Sequence, residues 1–360
     1  MSEELARGPG LASAPFRSCH HLQRGLVFYP GKVHACCANP VTGKTPIISE
    51  FGGGDLPIEK IISGRQRIIE RHKAGHIVDE CQQCPRLAED DWESDDARFG
   101  RYPIDEVTIA HFTTCNIRCN YCYTVRNEED ATAPLSKVPR LLRTFQELVK
   151  NGHLAPYATV RFSGGEPTLL PEFDDLVTLL SDYGARSIVY TNATRRSDAI
   201  IRALKQDTVE LILGIDAATS EVYRAIKKMD YNERVWDNVA AYCAAQGSAA
   251  ANKIWAKFIF TIENYRESDL FLARAVAAGI KHIYYDFDSS RIILSERSRE
   301  ALLPEEIIER LGELRYGCLV KGVELAFAES GLAWLTPERA ARVEEIFQRL
   351  RETRGHIAGG

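Results

Sequence analysis

The sequence contains no apolar run long enough to cross a bilayer, for which about 20 consecutive, mostly apolar residues are needed. It also lacks an excess of basic charge. Its 45 Lys and Arg face 50 Asp and Glu, a formal net charge of -5, and there is no arginine-rich appendage. No global field therefore draws the chain to nucleic acid or to an anionic membrane. The opening, MSEELARGPGLASAPFR, has no basic stretch ahead of an apolar core. No signal peptide is read from it, and a cytoplasmic location is expected. Internal repeats and low-complexity tracts are missing as well. What remains is ordinary globular composition over 360 residues, 45% hydrophobic and 26% charged, enough for one large domain or two to three smaller ones.

Cysteine is what the chain has in quantity. Disulfides are rare in the cytoplasm, so ten cysteines, clustered, point to metal binding or catalysis. Eight fall in the first 122 residues: Cys19, Cys36, Cys37, Cys81, Cys84, Cys115, Cys119 and Cys122. Cys243 and Cys318 stand alone, and Cys243 lies in a helical pattern that suits a small core residue. The stretch CNIRCNYCY, residues 115–123, holds three thiols. A closed tetrahedral site needs four protein ligands, and three imply a position kept open for chemistry.

The chain divides into three parts. Residues 1–98 carry cysteines, Gly-rich turns, one amphipathic helix near 57–73 and an acidic stretch. From residue 99 to about 295, six short apolar runs alternate with helical patterns: IDEVTIAHF, YATVRFSGG, RSIVYTNAT, VELILGIDA, IWAKFIFTI and IKHIYYDFD. The helical patterns fall near 134–151, 171–183, 196–206, 219–245 and 266–278. This alternation predicts an α/β fold with a parallel sheet buried on both faces, either an incomplete barrel or a doubly wound sheet. Residues 296–360 read as a helical extension. Cysteines or polar groups end all six strands, where parallel α/β folds bind ligands.

The C-x3-C-x2-C loop after the first strand, with Tyr121 just before its last cysteine, resembles the signature of the radical S-adenosylmethionine (SAM) superfamily. The segment GGEPTL after the second strand resembles that family's glycine-rich motif, and GIDAATSEVYRAIKK resembles the fourth-strand segment of its members with auxiliary clusters. The resemblance implies a partial (β/α)6 barrel. It also implies a [4Fe-4S] cluster on Cys115, Cys119 and Cys122, whose open iron is chelated by SAM. One electron would cleave SAM to a 5′-deoxyadenosyl radical that abstracts a substrate hydrogen atom. The carried-over SAM contacts are Gly164, Gly165, Glu166 and Pro167, backbone at Tyr121 for adenine, Asn192 and Asp216 for the ribose, and Lys227 for the carboxylate. Gly214 stands where a Ser is frequent in the family, and Lys227 or Lys228 where an Arg is.

Upstream, a hairpin with its turn at Pro30-Gly31 would bring Cys19 near Cys36, and CQQC adds Cys81 and Cys84. The spacing C-x11-G-x4-C with a later C-x2-C is similar to the start of the SPASM/twitch auxiliary-cluster domain, here ahead of the barrel and without its later cysteines. A second [4Fe-4S] cluster is expected on Cys19, Cys36, Cys81 and Cys84, with Cys37 as the alternate to Cys36. A four-cysteine zinc site is the competing reading.

An auxiliary cluster points to oxidation or epimerisation of a peptide or a small natural-product-like substrate, with an electron donor such as flavodoxin or ferredoxin. Glu263, Asn264, Asp286, Asp288 and Arg291 are candidate lining residues, and Cys318 a candidate hydrogen-atom donor. Two alternatives stay open: a radical SAM enzyme modifying RNA or protein side chains, and a zinc-stabilised binding protein without radical chemistry.

Overall fold

The computed structural model describes residues 17–36, 42–52, 56–89, 103–122, 138–246, 253–287, 304–327 and 335–355. Two compact units emerge: residues 1–111 with 139–158, and residues 112–138 with 159–360.

The first unit starts with a two-residue strand, β1 (Arg17–Ser18), a single helical turn, α1 (His20–Arg24), and the hairpin β2 (Gly25–Tyr29) and β3 (Lys32–His34). The hairpin turns where expected. Tyr29 faces Lys32 across Pro30 and Gly31, and Gly31 adopts φ +73°, which a turn with Pro in its second and Gly in its third position requires. Strand β4 (Ile47–Glu50) pairs with β3, and helix α2 (Ile58–Lys73) follows. After β5 (Ala88–Glu89), which pairs with β1, comes β6 (Ile104–Ile109), parallel to β2. The cysteine-rich hairpin therefore extends the same sheet as the first long strand. Helix α3 (Leu142–Lys150) covers β2, with the Phe145 and Phe28 rings 5.9 Å apart.

The next strand, β7 (Leu154–Phe162), ends in the second unit, which continues α4 (Phe173–Tyr183), β8 (Arg186–Thr191), α5 (Asp198–Lys205), β9 (Val209–Gly214), α6 (Ser220–Lys227), α7 (Asn232–Ala245), β10 (Ile254–Phe260), α8 (Ser268–Ala277), β11 (His282–Phe287), α9 (Pro304–Lys321), β12 (Glu324–Phe327) and α10 (Pro337–Gly355). The strands stand in the order β7-β8-β9-β10-β11-β12, each parallel to the next. A doubly wound sheet reverses its order at a switch point. From β7 to β12 the order never reverses, so this progression is that of a barrel-type sheet.

Three features differ from the sequence reading. First, the sheet is not equally buried on its two faces. In β9, β10 and β11 burial alternates strictly between buried and half-buried residues. The buried set packs under helices, as where Phe258 meets Phe271 of α8 with rings 4.6 Å apart. Second, the helical pattern at 219–245 is two helices, because Lys228 takes a left-handed conformation (φ +61°) that ends α6. Third, the C-terminal region adds a strand: α9 leads into β12, which pairs with β11. Helix identities follow from their ends and faces. Thr219 and Ser197 cap α6 and α5 by accepting from backbone N–H groups three residues on. In α4, Phe173, Leu176, Val177 and Leu180 share one buried stripe, each worth about 1.5–3 kcal/mol of burial.

Candidate active site

Residues 112–122 follow β6 and are anchored by three neighbouring segments. The segment after β7 docks first. The Gly165 N–H donates to the Phe112 carbonyl at 3.0 Å, and the Glu166 N–H to the Thr114 carbonyl at 2.9 Å. Any Cβ on Gly165 would stand 2.0 Å from the Thr114 carbonyl oxygen, so only glycine admits this approach.

The end of β8 is tied in through Glu166, which is 1% exposed. Its carboxylate accepts from the hydroxyls of Thr168 (2.7 Å) and Thr191 (2.6 Å) and from the N–H groups of Thr168 (3.2 Å) and Asn192 (2.7 Å). Burial raises its pKa, and the four donors oppose the shift. Asn192 passes the link on: its amide donates to Asn116 at 2.8 Å and reaches the Cys115 sulfur at 3.7 Å. Asn116 in turn donates to the Thr194 hydroxyl at 2.7 Å.

The third segment is the C-terminal end of α6. Its last carbonyls have no partner within the helix, and the cysteine loop supplies them. The Asn120 N–H donates to Ile226 O at 3.0 Å and the Arg118 N–H to Lys227 O at 2.9 Å. At the same place Lys227 pairs with Asp216, and Tyr121 donates its hydroxyl hydrogen to the same Asp216 oxygen. The other Asp216 oxygen accepts from the Ile259 N–H at 2.6 Å. Asp216 ends β9 in a left-handed conformation, φ +62°, of the kind that clusters at functional sites. Burial alone would pull the Lys227 ammonium down, but Asp216 more than offsets it and its pKa ends above the ordinary lysine value.

The thiols themselves are shielded. Cys119 is buried, Cys115 and Cys122 half-buried. Burial pushes Cys115 up to about 11, and it raises Cys119 too, with Lys227 pulling the other way. Such thiols stay protonated until a metal displaces the proton.

Of the proposed lining residues, Glu263 accepts from Asn120 of the cysteine loop at 2.8 Å. Asn264 is fully buried and braces the backbone, donating to the carbonyls of Asp216 and Ile259, both at 2.8 Å. Asp286 pairs with Lys257 on the half-buried sheet face at 3.3 Å. Asp288 and Arg291 lie outside the described residues. Cys318 sits in α9 with 2% exposure, its thiol pushed up to about 12 by burial. The sequence reading passed over Asn116 and Asn120, and took Thr191, Thr194 and Tyr223 only as parts of longer segments. Asn116 and Asn120 are spacers of the cysteine motif itself, where a polar residue between thiols is the only signal.

In the first unit, Cys19, Cys36, Cys81 and Cys84 line one small space. Cys81 leaves a short helical turn, and Gln83 takes φ +58° so that the Cys84 N–H can donate to Cys81 O at 3.2 Å. Burial, followed by the nearby Cys36 and Cys19, pushes Cys81 up to about 12. Cys37 lies outside the described residues. Among the described residues, no three His, Cys, Asp or Glu side chains converge as tightly as a single metal ion requires.

Residues 109–256 match the model of the Radical SAM superfamily. Similar curated proteins include the probable GTP 3′,8-cyclase of Methanothermobacter marburgensis, 27% identical over 140 residues that make up 38% of this chain and 43% of that protein. The probable GTP 3′,8-cyclase of Saccharolobus islandicus is 27% identical over 143 residues, 39% of this chain and 44% of that protein. The chain thus spans less than half the length of these relatives. Among solved structures, Streptococcus suis SuiB bound to its precursor peptide SuiA aligns with TM-score 0.48 at 15% identity, covering 77% of this chain and 65% of that one. The AdoMet-bound anSMEcpe aligns with TM-score 0.47 at 14% identity, covering 62% and 61%. The similarity to the radical SAM superfamily thus lies in residues 109–256, which carry the cysteine loop and the segments that anchor it. No helix among the described residues is long and apolar enough to cross a membrane.

Proposed function

We propose that Cys115, Cys119 and Cys122 hold a [4Fe-4S] cluster, and that the chain uses it to oxidise or epimerise a peptide or a small natural-product-like substrate. The observation that carries this is the three-sided anchoring of one cysteine loop by the β7 loop, the β8 end and the α6 end. Three thiols in one braced loop suit a cluster that leaves an iron for an exchangeable ligand. When bound, the cluster and SAM supply reductive cleavage to a 5′-deoxyadenosyl radical.

The chain's own residues bind and orient. Gly165 and Glu166 have committed their N–H groups to the cysteine loop, and the Glu166 and Pro167 carbonyls accept from Leu169 and Leu170, so the carbonyls of Gly164 and Gly165 are the candidates to accept from SAM's ammonium. Asn192 stands beside Cys115 and is the ribose candidate. Asp216 and Lys227, the other carried-over contacts, are committed to each other, so in this reading they brace Tyr121 and the loop. The half-buried face bearing Lys257 and Asp286 offers both signs of charge to a polar substrate.

Cys19, Cys36, Cys81 and Cys84 are proposed to hold a second [4Fe-4S] cluster. Four thiols that line one space are enough to close such a site. An external donor of the flavodoxin or ferredoxin kind would supply the electron. Anaerobic reconstitution with iron and sulfide assays tests the whole reading. About eight irons per chain and release of 5′-deoxyadenosine on reduction with SAM are expected. Zinc without sulfide would overturn it.

A further inference from the structure

Tyr223 is a large polar side chain on the helix that anchors the cysteine loop, and the site described above leaves it unused. It lies on α6, one turn ahead of Ile226 and Lys227, whose carbonyls accept from the Asn120 and Arg118 N–H groups. Tyr223, Ile226 and Lys227 are the buried residues of α6. Tyr223 has 0% exposure. Its hydroxyl has no hydrogen-bond partner among the described residues. Lys227, Cys119, Asp216 and Cys115 all act on it electrostatically, so the hydroxyl lies within electrostatic reach of two of the loop's thiols. An unsatisfied buried hydroxyl is costly, and it is rarely kept without a partner to receive its proton. Lys227 and Asp216 already satisfy each other and Tyr121, and a protonated thiol is a poor acceptor. The thiolates and sulfides of an iron–sulfur cluster are good ones, and hydrogen bonds to them raise the reduction potential.

We infer that Tyr223 is a positioning residue that donates a hydrogen bond to a sulfur of the cluster held by the cysteine loop, and so sets the potential at which that cluster accepts its electron. The inference rests on the proposed cluster, and the test separates the two. Wild type and Tyr223→Phe are reconstituted, their iron and sulfide counted, and the signal that responds to SAM is followed by EPR during a redox titration. The expected result is equal cluster content with a lower midpoint potential in the variant. Melting curves give a second readout. Without metal, the variant should melt at or above the wild type, since it has lost an unpaired buried hydroxyl; once loaded, the order should reverse. If wild type assembles no SAM-responsive cluster, the underlying site assignment fails. If both proteins load equally and share one midpoint potential, or if only SAM affinity changes, the assignment of Tyr223 is overturned.

Discussion

Lys227 and Asp216 form an ion pair away from water, their side chains 2% and 0% exposed, with the Tyr121 hydroxyl 2.8 Å from the ammonium. A buried pair of this kind adds little net stability, but removing one partner strands the other charge. Lys227→Met should therefore cost about 3–5 kcal/mol, read as a fall in the urea midpoint. The double change Lys227→Met with Asp216→Asn should recover a large part of that loss. Equal stability in single and double variants would show that the two charges are not coupled.

Glu166 makes a separate prediction, because its four donors come from two segments. Glu166→Gln keeps the shape but turns one acceptor oxygen into a donor facing N–H or O–H groups. A stability loss of about 1–3 kcal/mol is expected. Release of 5′-deoxyadenosine should fall much further than iron content, since the three thiols are untouched. A variant with full cleavage activity would mean that the link from the β7 loop to β8 is dispensable.

The N-terminal thiols predict a division of labour. Cys81→Ala should lower iron by about four per chain while SAM cleavage persists and conversion of substrate stops. Cys119→Ala should do the opposite, abolishing 5′-deoxyadenosine and sparing the N-terminal iron. Loss of SAM cleavage in Cys81→Ala, with the protein folded, would remove the distinction between the two sites.

Much of this was legible from local pattern. All six long strands appear where apolar β-branched runs were read, because each run is buried by its own neighbours in the sheet. The hairpin turn was equally plain, since Pro30-Gly31 encodes it locally. What escaped depended on distant partners. The break at Lys228 has no Gly or Pro to announce it, and the apolar spacing continues through it. Strand β12 is four residues long and exists only because β11 offers an edge. Asp216 and Lys227 looked like ligand contacts one at a time. Their mutual pairing is set by how α6 sits against β9, which no spacing in the sequence states.

Two buried histidines give the pH dependence. His72 is 2% and His111 3% exposed, and burial holds each at about 4. His72 uses a ring nitrogen to accept from the Val78 N–H at 3.4 Å, and His111 bonds the Pro139 carbonyl at 3.0 Å. Both are neutral in the folded chain, whereas the unfolded chain takes up protons near the ordinary histidine value of about 6.5. The unfolded state thus binds more protons between these values, so stability is full above about pH 6.5 and declines toward pH 4. Each histidine should cost about 2 kcal/mol between pH 7 and pH 5. Denaturant titrations at the two pH values should show that decline, and His72→Gln should remove roughly half of it. A midpoint that does not move between pH 7 and pH 5 would mean that these rings are not buried neutral.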